Sequence, residues 1–351
     1  MQRSTPDQLS ILILGAGAIG GYLGASLALH GHRVVVLERP HNAEALQKQG
    51  FYLTVGDRTH HLTNVAVVSS IEEALRLVNF DVSLMAVKSY DTSSALETIA
   101  PHSKQLPPFV CLQNGVENEA ALAAVLGDGK VIAGTVTTAV AKDGPGRLRL
   151  ERLRGVGLAA GHPLAKHLAA TMNAAALNAR LYPDAQAMKW SKLLTNLLCN
   201  ATCAILDMTP AAVMANPDLF ALEMRQLREA LAIMRAMKLR VVDLPGTPVR
   251  ALAFGARLPA VLARPLMARA VGRGRGGKMP SLHIDLHSGK GRSEVDWLNG
   301  AVVRAGESLG IPTPVNKLLN ETLRKLVKKE LSIETYRYQP DRLTLELDNY
   351  R

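Results

Sequence analysis

The sequence feature that most constrains the fold is a glycine pattern that directly follows a short apolar run near the amino terminus. Residues 11–14 are all Ile or Leu, and the motif Gly15-x-Gly17-x-x-Gly20 follows at once. A stretch of helical composition and a second apolar run, residues 34–37, come next. The order strand, glycine turn, helix, strand predicts a dinucleotide-binding unit, in which backbone N–H groups at the helix start face a pyrophosphate.

Length and composition are those of a globular protein with room for two domains. The chain has 351 residues, of which 48% are hydrophobic and 20% charged. Residues 11–29 carry no charge, but their strand-turn-helix pattern argues against a signal anchor, and no other uncharged run approaches the roughly 20 residues that cross a bilayer. The three cysteines form no C-x-x-C pair. We therefore expect a cytoplasmic protein without a metal site.

The formal net charge of +11 is concentrated in one segment. Residues 249–278 hold seven Arg and Lys side chains, and residues 244–284 contain no Asp or Glu. Pro259 and Pro265 predict two short helices there rather than one. Such a segment would either attract an anionic substrate or form a solvated peripheral insertion. Aromatic residues make up only 4% of the chain, so we expect no nucleic-acid partner and no stable membrane insertion.

Residues after the predicted strands are candidates for cofactor binding, because ligands bind at the carboxyl edge of such sheets. Glu38 would accept hydrogen bonds from the 2′-hydroxyl of NAD(H), whereas Arg39 would pair with the 2′-phosphate of NADP(H). A solvated ion pair of these two residues is the less favoured alternative. Lys88 and Asn114 each follow a further apolar strand. Asn114 is equally a turn former or an amide that reaches the nicotinamide and substrate.

The alternation of strands and helices ends at about residue 183. We expect a Rossmann-type α/β domain with a parallel sheet over residues 1–183, an all-α domain for substrate binding and dimerisation over residues 184–330, and a C-terminal tail over residues 331–351. A crevice is expected between the two domains. Apolar residues recur at three- and four-residue spacing in four segments, which predicts long helices at 184–205, 217–239, 293–310 and 313–329.

The first of these helices carries a polar stripe. Lys192, Asn196 and Asn200 are spaced i, i+4, i+8, and on one continuous helix they would lie within about 80° of one another. A solvent-exposed face normally mixes Glu, Lys and Arg, so one lysine with two amides favours the wall of a polar site. A partly buried lysine has a lowered pKa and is suited to protonate the alkoxide formed when a ketone is reduced.

A second polar group follows the basic segment. Ser281 lies in the sequence PSLHIDL, and Glu294 lies in SEVDWLNG after a glycine-rich approach. We expect Glu294 to be free to reach across the crevice. His283 and His287 share a helix face but have no third ligand, which again predicts no metal site.

Taken together, these motifs resemble the ketopantoate reductases (2-dehydropantoate 2-reductases). The sequences GAGAIGG, MAVKSYD, QNG, WSKLLTNLLCNATCAI, PSLHIDL and SEVDWLNG occur in the family's order, over residues 10–330. The resemblance implies a C-terminal helical architecture like that of 6-phosphogluconate dehydrogenase. It also implies NADPH-dependent reduction of ketopantoate, a small 2-oxo acid, to pantoate in pantothenate and coenzyme A biosynthesis, by a monomer or a homodimer.

The resemblance also assigns roles to individual residues. The catalytic residues would be Lys192, as the general acid, and Glu294, which closes the cofactor and substrate site. The cofactor-binding residues would be Gly15, Ala16, Gly17, Ala18, Ile19, Gly20, Arg39, Lys88, Asn114 and Glu294. The substrate-binding residues would be Asn114, Lys192, Asn196, Asn200 and Ser281.

Two departures from the family pattern leave other functions open. Asp207 and Pro210 occupy the region where the family has a further substrate-contacting asparagine, and the basic segment is an insertion. The alternatives are an NAD(P)-dependent reductase of another branched 2-oxo acid, or a related hydroxy-acid dehydrogenase. A non-catalytic nucleotide-binding protein is less favoured, because Lys192 and Glu294 are both present.

Overall fold

The computed structural model of the chain describes residues 8–265, 267, 279–289 and 291–350. The expectations for Arg269, Arg273, Arg275 and Lys278 lie outside these residues. By its contacts the chain divides into two compact units. Unit 1 comprises Met1–Gln113, Glu117–Lys189 and Leu244–Thr247, and unit 2 comprises Asn114–Val116, Trp190–Asp243 and Pro248–Arg351.

Unit 1 is built on a large, mostly parallel sheet. Its strands, with those of a second sheet, are β1 (Ser10–Leu14), β2 (Arg33–Leu37), β3 (Phe51–Val55), β4 (Arg58–Leu62), β5 (Ala66–Val68), β6 (Val82–Met85), β7 (Phe109–Cys111), β8 (Val131–Val136), β9 (Ala139–Gly144), β10 (Arg147–Arg152), β11 (Val156–Ala159) and β12 (Ala179–Tyr182). Within the described chain, the large sheet has eight strands in the order β12-β11-β8-β7-β6-β1-β2-β5. Its pairs are parallel apart from β8 with β11.

Both faces of this sheet are covered, which explains why its central strands are almost entirely apolar. Successive side chains of a strand point to opposite faces. Accordingly, Ile11 and Ile13 belong to one buried cluster, and Leu12 and Leu14 belong to another. The helices of this unit are α1 (Ala18–Leu29), α2 (Pro40–Gln49), α3 (Ile71–Leu77), α4 (Thr92–Ile99), α5 (Asn118–Leu126) and α6 (Ala165–Ala174).

The second sheet, in the order β4-β3-β10-β9, was not predicted. The sequence indicates one strand over residues 131–140, but the structure has β8 and β9 on either side of Thr137 and Thr138. Thr137 explains the interruption, because its hydroxyl donates to the carbonyl oxygens of Gly155 and Pro245 at 3.1 and 2.8 Å. A polar pair buried at this point ends one strand, and β9 continues in the other sheet.

Unit 2 is helical in its described part. Its elements are α7 (Ala185–Leu197, shared with unit 1), α8 (Asn200–Leu206), α9 (Pro210–Ala215), α10 (Pro217–Ala236), α11 (Val249–Arg257), α12 (Ser281–His287), α13 (Asn299–Leu309), α14 (Pro314–Val327) and α15 (Pro340–Glu346). Residues 260–265 are again helical after α11, so the predicted break at Pro259 is confirmed. In the described residues, no helix is long and apolar enough to cross a membrane.

The prediction of one helix over residues 184–205 is wrong. Helix α7 ends at Leu197 and α8 begins at Asn200, with Cys199 between them in the left-handed region at φ +57°. A buried cysteine in this conformation interrupts the helical hydrogen bonding, so Asn200 does not continue the stripe of Lys192 and Asn196 along one helix.

A polar network crosses the interior of unit 2. Gln226 on α10 accepts a hydrogen bond from Asn299, which also donates to Asn316. Glu229 accepts from the backbone N–H groups of Val315 and Asn316, and so satisfies donors at the start of α14. These hydrogen bonds offset part of the cost of burying the side chains of Gln226, Glu229, Asn299 and Asn316.

Candidate active site

The glycine turn of unit 1 has the shape that a pyrophosphate requires. Gly15 has φ +97°, and a Cβ atom at Gly20 would lie 2.0 Å from the carbonyl oxygen of Gly15. A Cβ atom at Gly17 would meet no atom within 4 Å. Gly17 is the residue before α1 and, as a glycine, has no side chain to cap the first N–H groups of the helix. Open space in front of uncapped helix N–H groups fits the phosphates of a dinucleotide.

The two residues that bear on cofactor choice contact different neighbours. The Glu38 carboxylate accepts hydrogen bonds from the N–H of Ala16 at 2.7 Å and from the N–H of Arg39 at 2.9 Å. The Arg39 guanidinium instead forms an ion pair with Asp91 at 2.6 Å, and its side chain remains 63% exposed. Glu38 therefore lies at the glycine turn, whereas Arg39 is held beside it by a different carboxylate.

Two lysines belong to the same part of unit 1. Lys88 is half-buried and precedes a short helical turn, Ser89–Asp91. Lys142 on β9 donates to the carbonyl oxygen of Ala16 at 3.1 Å. Sequence reasoning missed Lys142, because nothing local in the sequence indicates that β9 of the second sheet packs beside α1.

A buried hydrogen-bond chain fixes the loops at the ends of β6 and β7. The Gln113 amide donates to the Thr92 hydroxyl at 2.8 Å, and this hydroxyl donates to the Asn118 side-chain oxygen at 3.0 Å. Asn118 in turn donates to the Ser89 hydroxyl at 3.3 Å. The loop that carries Lys88 and the loop that leads into Asn114 are thus held by side chains rather than by the sheet alone.

Lys189 is a buried cation at the end of unit 1. Its ammonium group lies 2.6 Å from Glu119 Oε1 as an ion pair, and it donates to the carbonyl oxygens of Gln113 at 2.7 Å and Gly134 at 3.2 Å. Burial is the largest single influence and acts to lower the pKa of Lys189, but the contributions of Glu119 and Cys111 together outweigh it, and the pKa lies above its ordinary value. Lys189 is therefore charged at neutral pH and fastens the backbone just before Asn114.

In unit 2, the structure brings Asn196 and Asn114 together. Asn196 lies one turn after Lys192 on α7, and its side-chain nitrogen donates to the side-chain oxygen of Asn114 at 3.0 Å. Lys192, Asn196 and Asn114 are all half-buried. A cationic side chain and two neutral amides are suited to hold an oxygen-rich substrate.

The break between α7 and α8 is stabilised by Glu223 of α10. Its carboxylate accepts from the N–H of Cys199 at 2.7 Å and from the Thr202 hydroxyl. Gln226 donates to the same carboxylate. Glu223 is completely buried, so these donors compensate for the loss of water around its charge. Sequence reasoning did not find Glu223, which resembles any other polar residue of a helical pattern.

Asn200, displaced from the stripe by this break, contacts Ser281 instead. Its side-chain nitrogen lies 3.4 Å from the Ser281 hydroxyl, and its side-chain oxygen accepts from the N–H of Leu282 at 3.0 Å. Asn200 is buried and Ser281 is exposed. Asn200 therefore holds the start of α12, and Ser281 itself lies at the surface.

Glu294 is 1% exposed and lies at the start of the short helical turn Val295–Trp297. One expectation about this unit is wrong. His283 and His287 do have a third potential ligand beside them, since Asp207 Oδ1 lies 2.8 Å from His283 Nε2. Asp207 ends α8, 76 residues before His283, and the sequence does not indicate that α8 and α12 are neighbours.

A Rossmann-type unit with a glycine turn, followed by a helical unit with a lysine and several amides, defines the two-domain nicotinamide-dependent oxidoreductases. The family model described as ketopantoate reductase PanE/ApbA matches residues 11–160, and the model of its C-terminal part matches residues 184–327. The chain belongs to the ketopantoate reductase family, whose members are oxidoreductases.

Individual relatives agree with this assignment. The chain is 29% identical over 346 residues to the 2-dehydropantoate 2-reductase of Mesorhizobium japonicum, covering 91% of this chain and 98% of that protein. A PanE/ApbA family ketopantoate reductase from Ralstonia eutropha JMP134 superposes with a TM-score of 0.78 at 29% identity, over 92% of this chain and 99% of that one. D-mandelate dehydrogenase in complex with NADH and anilino(oxo)acetate shares the fold, with a TM-score of 0.76 at 19% identity over the same shares of both chains.

Proposed function

We propose that this protein reduces ketopantoate (2-dehydropantoate) to pantoate with NADPH. The observation that carries the proposal is the hydrogen bond from Asn196 to Asn114, one helical turn from Lys192. It joins two of the motifs that the chain has in common with its family. In this proposal, residues 1–183 bind the cofactor, and residues 184–330 together with Asn114 bind the substrate, in a monomer or a homodimer.

The glycine turn and the first turn of α1 would hold the cofactor pyrophosphate, and Lys88 and Lys142 would add positive charge beside it. The bound nicotinamide supplies a hydride to the ketone carbon of the substrate. The chain's own residues must then bind the 2-oxo acid, orient its carbonyl group and deliver one proton to the carbonyl oxygen.

Lys192 is the proposed proton donor. Reduction of a ketone places negative charge on its oxygen, and an ammonium group next to that oxygen stabilises the charge before it transfers the proton. Asn114 and Asn196 are proposed to orient the substrate oxygens, with their mutual hydrogen bond fixing the amide planes. Neutral amides suit this role, because they leave Lys192 as the source of positive charge.

Asn200 and Ser281 are proposed to hold the opposite end of the substrate. Asn200 positions the start of α12, and the Ser281 hydroxyl is exposed there to bind a carboxylate or hydroxyl group. Glu294 remains a proposed catalytic and cofactor-binding residue through the family resemblance. Its burial supports a role in which the carboxylate positions other groups.

For the cofactor, Arg39 supports NADPH. Its guanidinium is largely exposed and already binds one carboxylate, that of Asp91. A 2′-phosphate carries about two negative charges, and its oxygens match the planar donor fork of a guanidinium. NADH is the second candidate, supported by the Glu38 carboxylate that accepts from Ala16 in the glycine turn. A carboxylate about 20 residues after the glycines is the usual partner of a free 2′-hydroxyl.

The direct experiment measures oxidation of NADPH and of NADH by the purified protein with ketopantoate and a panel of branched and aromatic 2-oxo acids. We expect the highest kcat/KM with NADPH and ketopantoate. A higher kcat/KM with another 2-oxo acid would identify that acid, rather than ketopantoate, as the preferred substrate. Absence of turnover with every acid and both cofactors would contradict the proposal as a whole.

A further inference from the structure

The ends of α8 and α12 bring three potential metal ligands together. Asp207 Oδ1 lies 2.8 Å from His283 Nε2 and 4.0 Å from His287 Nε2. One ligand atom from each of these residues lies within 4.8 Å of the other two. Among the residues that the structure describes, this is the one group of three or more His, Cys, Asp or Glu side chains whose ligand atoms lie this close together. We call it the Asp207 cluster.

The packing of two short helices builds this cluster. Asn200, at the start of α8, bonds to the backbone at the start of α12, and Asp207 at the end of α8 meets the histidines farther along α12. Both the start and the end of α8 therefore lie against α12. His283 and His287 are spaced i, i+4, which puts both imidazoles on the face toward Asp207, with ring centroids 4.2 Å apart.

The distances suit a tetrahedral ion. Zinc binds His nitrogen at about 2.0–2.1 Å and carboxylate oxygen at about 2.0–2.2 Å, so tetrahedral ligand atoms lie roughly 3.4 Å apart. The two distances from Asp207 Oδ1 lie on either side of this value. At 4.0 Å, His287 is too far away for a hydrogen bond to Asp207, although it faces the same oxygen. A simple hydrogen bond between His283 and Asp207 does not explain why the His287 imidazole also faces the same Asp207 oxygen.

The second carboxylate oxygen is held by other groups. Asp207 Oδ2 lies 3.0 Å from Arg337 Nε and accepts from the Tyr338 hydroxyl at 3.3 Å. Carboxylates that bind metal ions are commonly oriented in this way by hydrogen bonds to their outer oxygen. The Arg337 charge opposes a cation, but its side chain is 42% exposed and water screens much of the effect.

We propose that Asp207, His283 and His287 bind one divalent transition-metal ion of the zinc type. The ion would have two imidazole ligands, one carboxylate ligand and a fourth position open to water, which the 37% exposure of the His287 side chain makes accessible. The ion would hold the end of α8 against α12. The nearest ligand on α12, His283, is two residues after Ser281. Magnesium and calcium, which prefer all-oxygen sites, are not expected to bind.

The test uses the untagged full-length protein, freed of metal by dialysis against a chelator. Isothermal titration with Zn²⁺ should give one saturable site per chain, and Mg²⁺ should give none. Co²⁺ should produce the visible absorption of a four-coordinate ion. His287→Ala should weaken Zn²⁺ binding more than about tenfold, since even outer partners of metal ligands contribute 10–100-fold. His287 is partly exposed, so this variant should retain its fold.

His102→Ala is the matched control. His102 Nε2 lies 2.8 Å from Glu72 Oε1, the same distance as in the His283–Asp207 pair. Among the described residues, however, no third ligand completes that pair. The control should keep the Zn²⁺ affinity of the unchanged protein. The proposal would be overturned if Zn²⁺ did not bind with unit stoichiometry, or if His287→Ala and His102→Ala weakened binding equally. Neither readout depends on the reductase activity.

Discussion

Asn196 donates a hydrogen bond from its side-chain nitrogen to the side-chain oxygen of Asn114, 82 residues earlier in the chain. Asn114 follows the strand β7 and Asn196 lies in the last turn of α7, so the contact joins a sheet-end turn to the lysine helix. The hydrogen bond fixes the orientation of both amides. If these amides bind the 2-oxo acid, they do so as one unit.

A double-mutant cycle tests this coupling. Asn114→Ala and Asn196→Ala should each lower kcat/KM for the 2-oxo acid by about tenfold or more. When the losses in kcat/KM are expressed as free energies, the loss in the double variant should be about 1 kcal/mol smaller than the sum of the two single losses. The reason is that the shared hydrogen bond is lost only once. Steady-state kinetics of the four proteins checks this. Strictly additive effects would show that the two amides act separately.

The local part of the fold was predictable from the sequence, and the long-range part was not. The order β1, glycine turn, α1, β2 can be predicted from residues that are neighbours in the sequence. Apolar runs indicate buried strands, and glycines indicate tight turns. The second sheet was missed, since its strands are short and half-polar. The break at Cys199 was also missed. It depends on Glu223, which lies 24 residues away on another helix.

The candidate site divides in the same way. Lys192 and Asn196 share a helix face, as the spacing predicts, and Asn114 joins them through a contact that the sequence does not encode locally. The roles of these residues remain predictions. The Asp207 cluster was overlooked, because a search by spacing finds His283 and His287 but not a carboxylate from a distant helix end.

Glu223 should control the stability of the α7–α8 break. The Glu223 carboxylate accepts hydrogen bonds from Cys199, Thr202 and Gln226. In Glu223→Gln, the NH₂ group of the new amide would face one or more of these donors instead of accepting from them. We expect a loss of about 2–4 kcal/mol in the free energy of unfolding. Urea unfolding measures it. Glu307→Gln, an exposed substitution on α13, should change stability by less than about 0.5 kcal/mol. Equal effects of the two substitutions would contradict this role for Glu223.

The cofactor preference should move in opposite directions in two variants. Glu38→Gln removes a negative charge beside the glycine turn and should shift the ratio of kcat/KM values toward NADPH, by about tenfold. Arg39→Ala removes the guanidinium and should shift the same ratio toward NADH. The ratio for each variant comes from parallel titrations of both cofactors. A preference of the unchanged protein for NADH would show that Glu38, and not Arg39, determines the choice.

The buried pair of Lys189 and Glu119 should stabilise unit 1. Glu119→Gln leaves a buried ammonium without its counter-ion and should lower the free energy of unfolding by about 3 kcal/mol at neutral pH. The control is Glu44→Gln. The ion pair between Glu44 and Lys48 is highly exposed, so this substitution should change the free energy of unfolding by less than about 0.5 kcal/mol.

The pH dependence of this difference follows from the raised pKa of Lys189. A lysine whose pKa is higher in the folded state contributes stability that is fully present below its unfolded pKa of about 10.4. That contribution is lost as the pH rises through the folded pKa. The stability difference between the unchanged protein and Glu119→Gln should therefore be largest near neutral pH and shrink as the pH rises toward and beyond about 10.4, because the unpaired ammonium of the variant can lose its proton more readily. A difference that grew with pH would contradict a charged Lys189.

The most direct test of the proposed mechanism is the rate of ketopantoate reduction by Lys192→Ala. Removal of a general acid lowers rates by roughly 10²–10⁴-fold, so kcat should fall by at least about 100-fold. Binding of the reduced cofactor, followed by its fluorescence, should be nearly unchanged. Lys317→Ala, at an exposed position of α14, should keep full activity. The account predicts loss of turnover with cofactor binding intact. Turnover of ketopantoate by Lys192→Ala at the rate of the unchanged protein would contradict it.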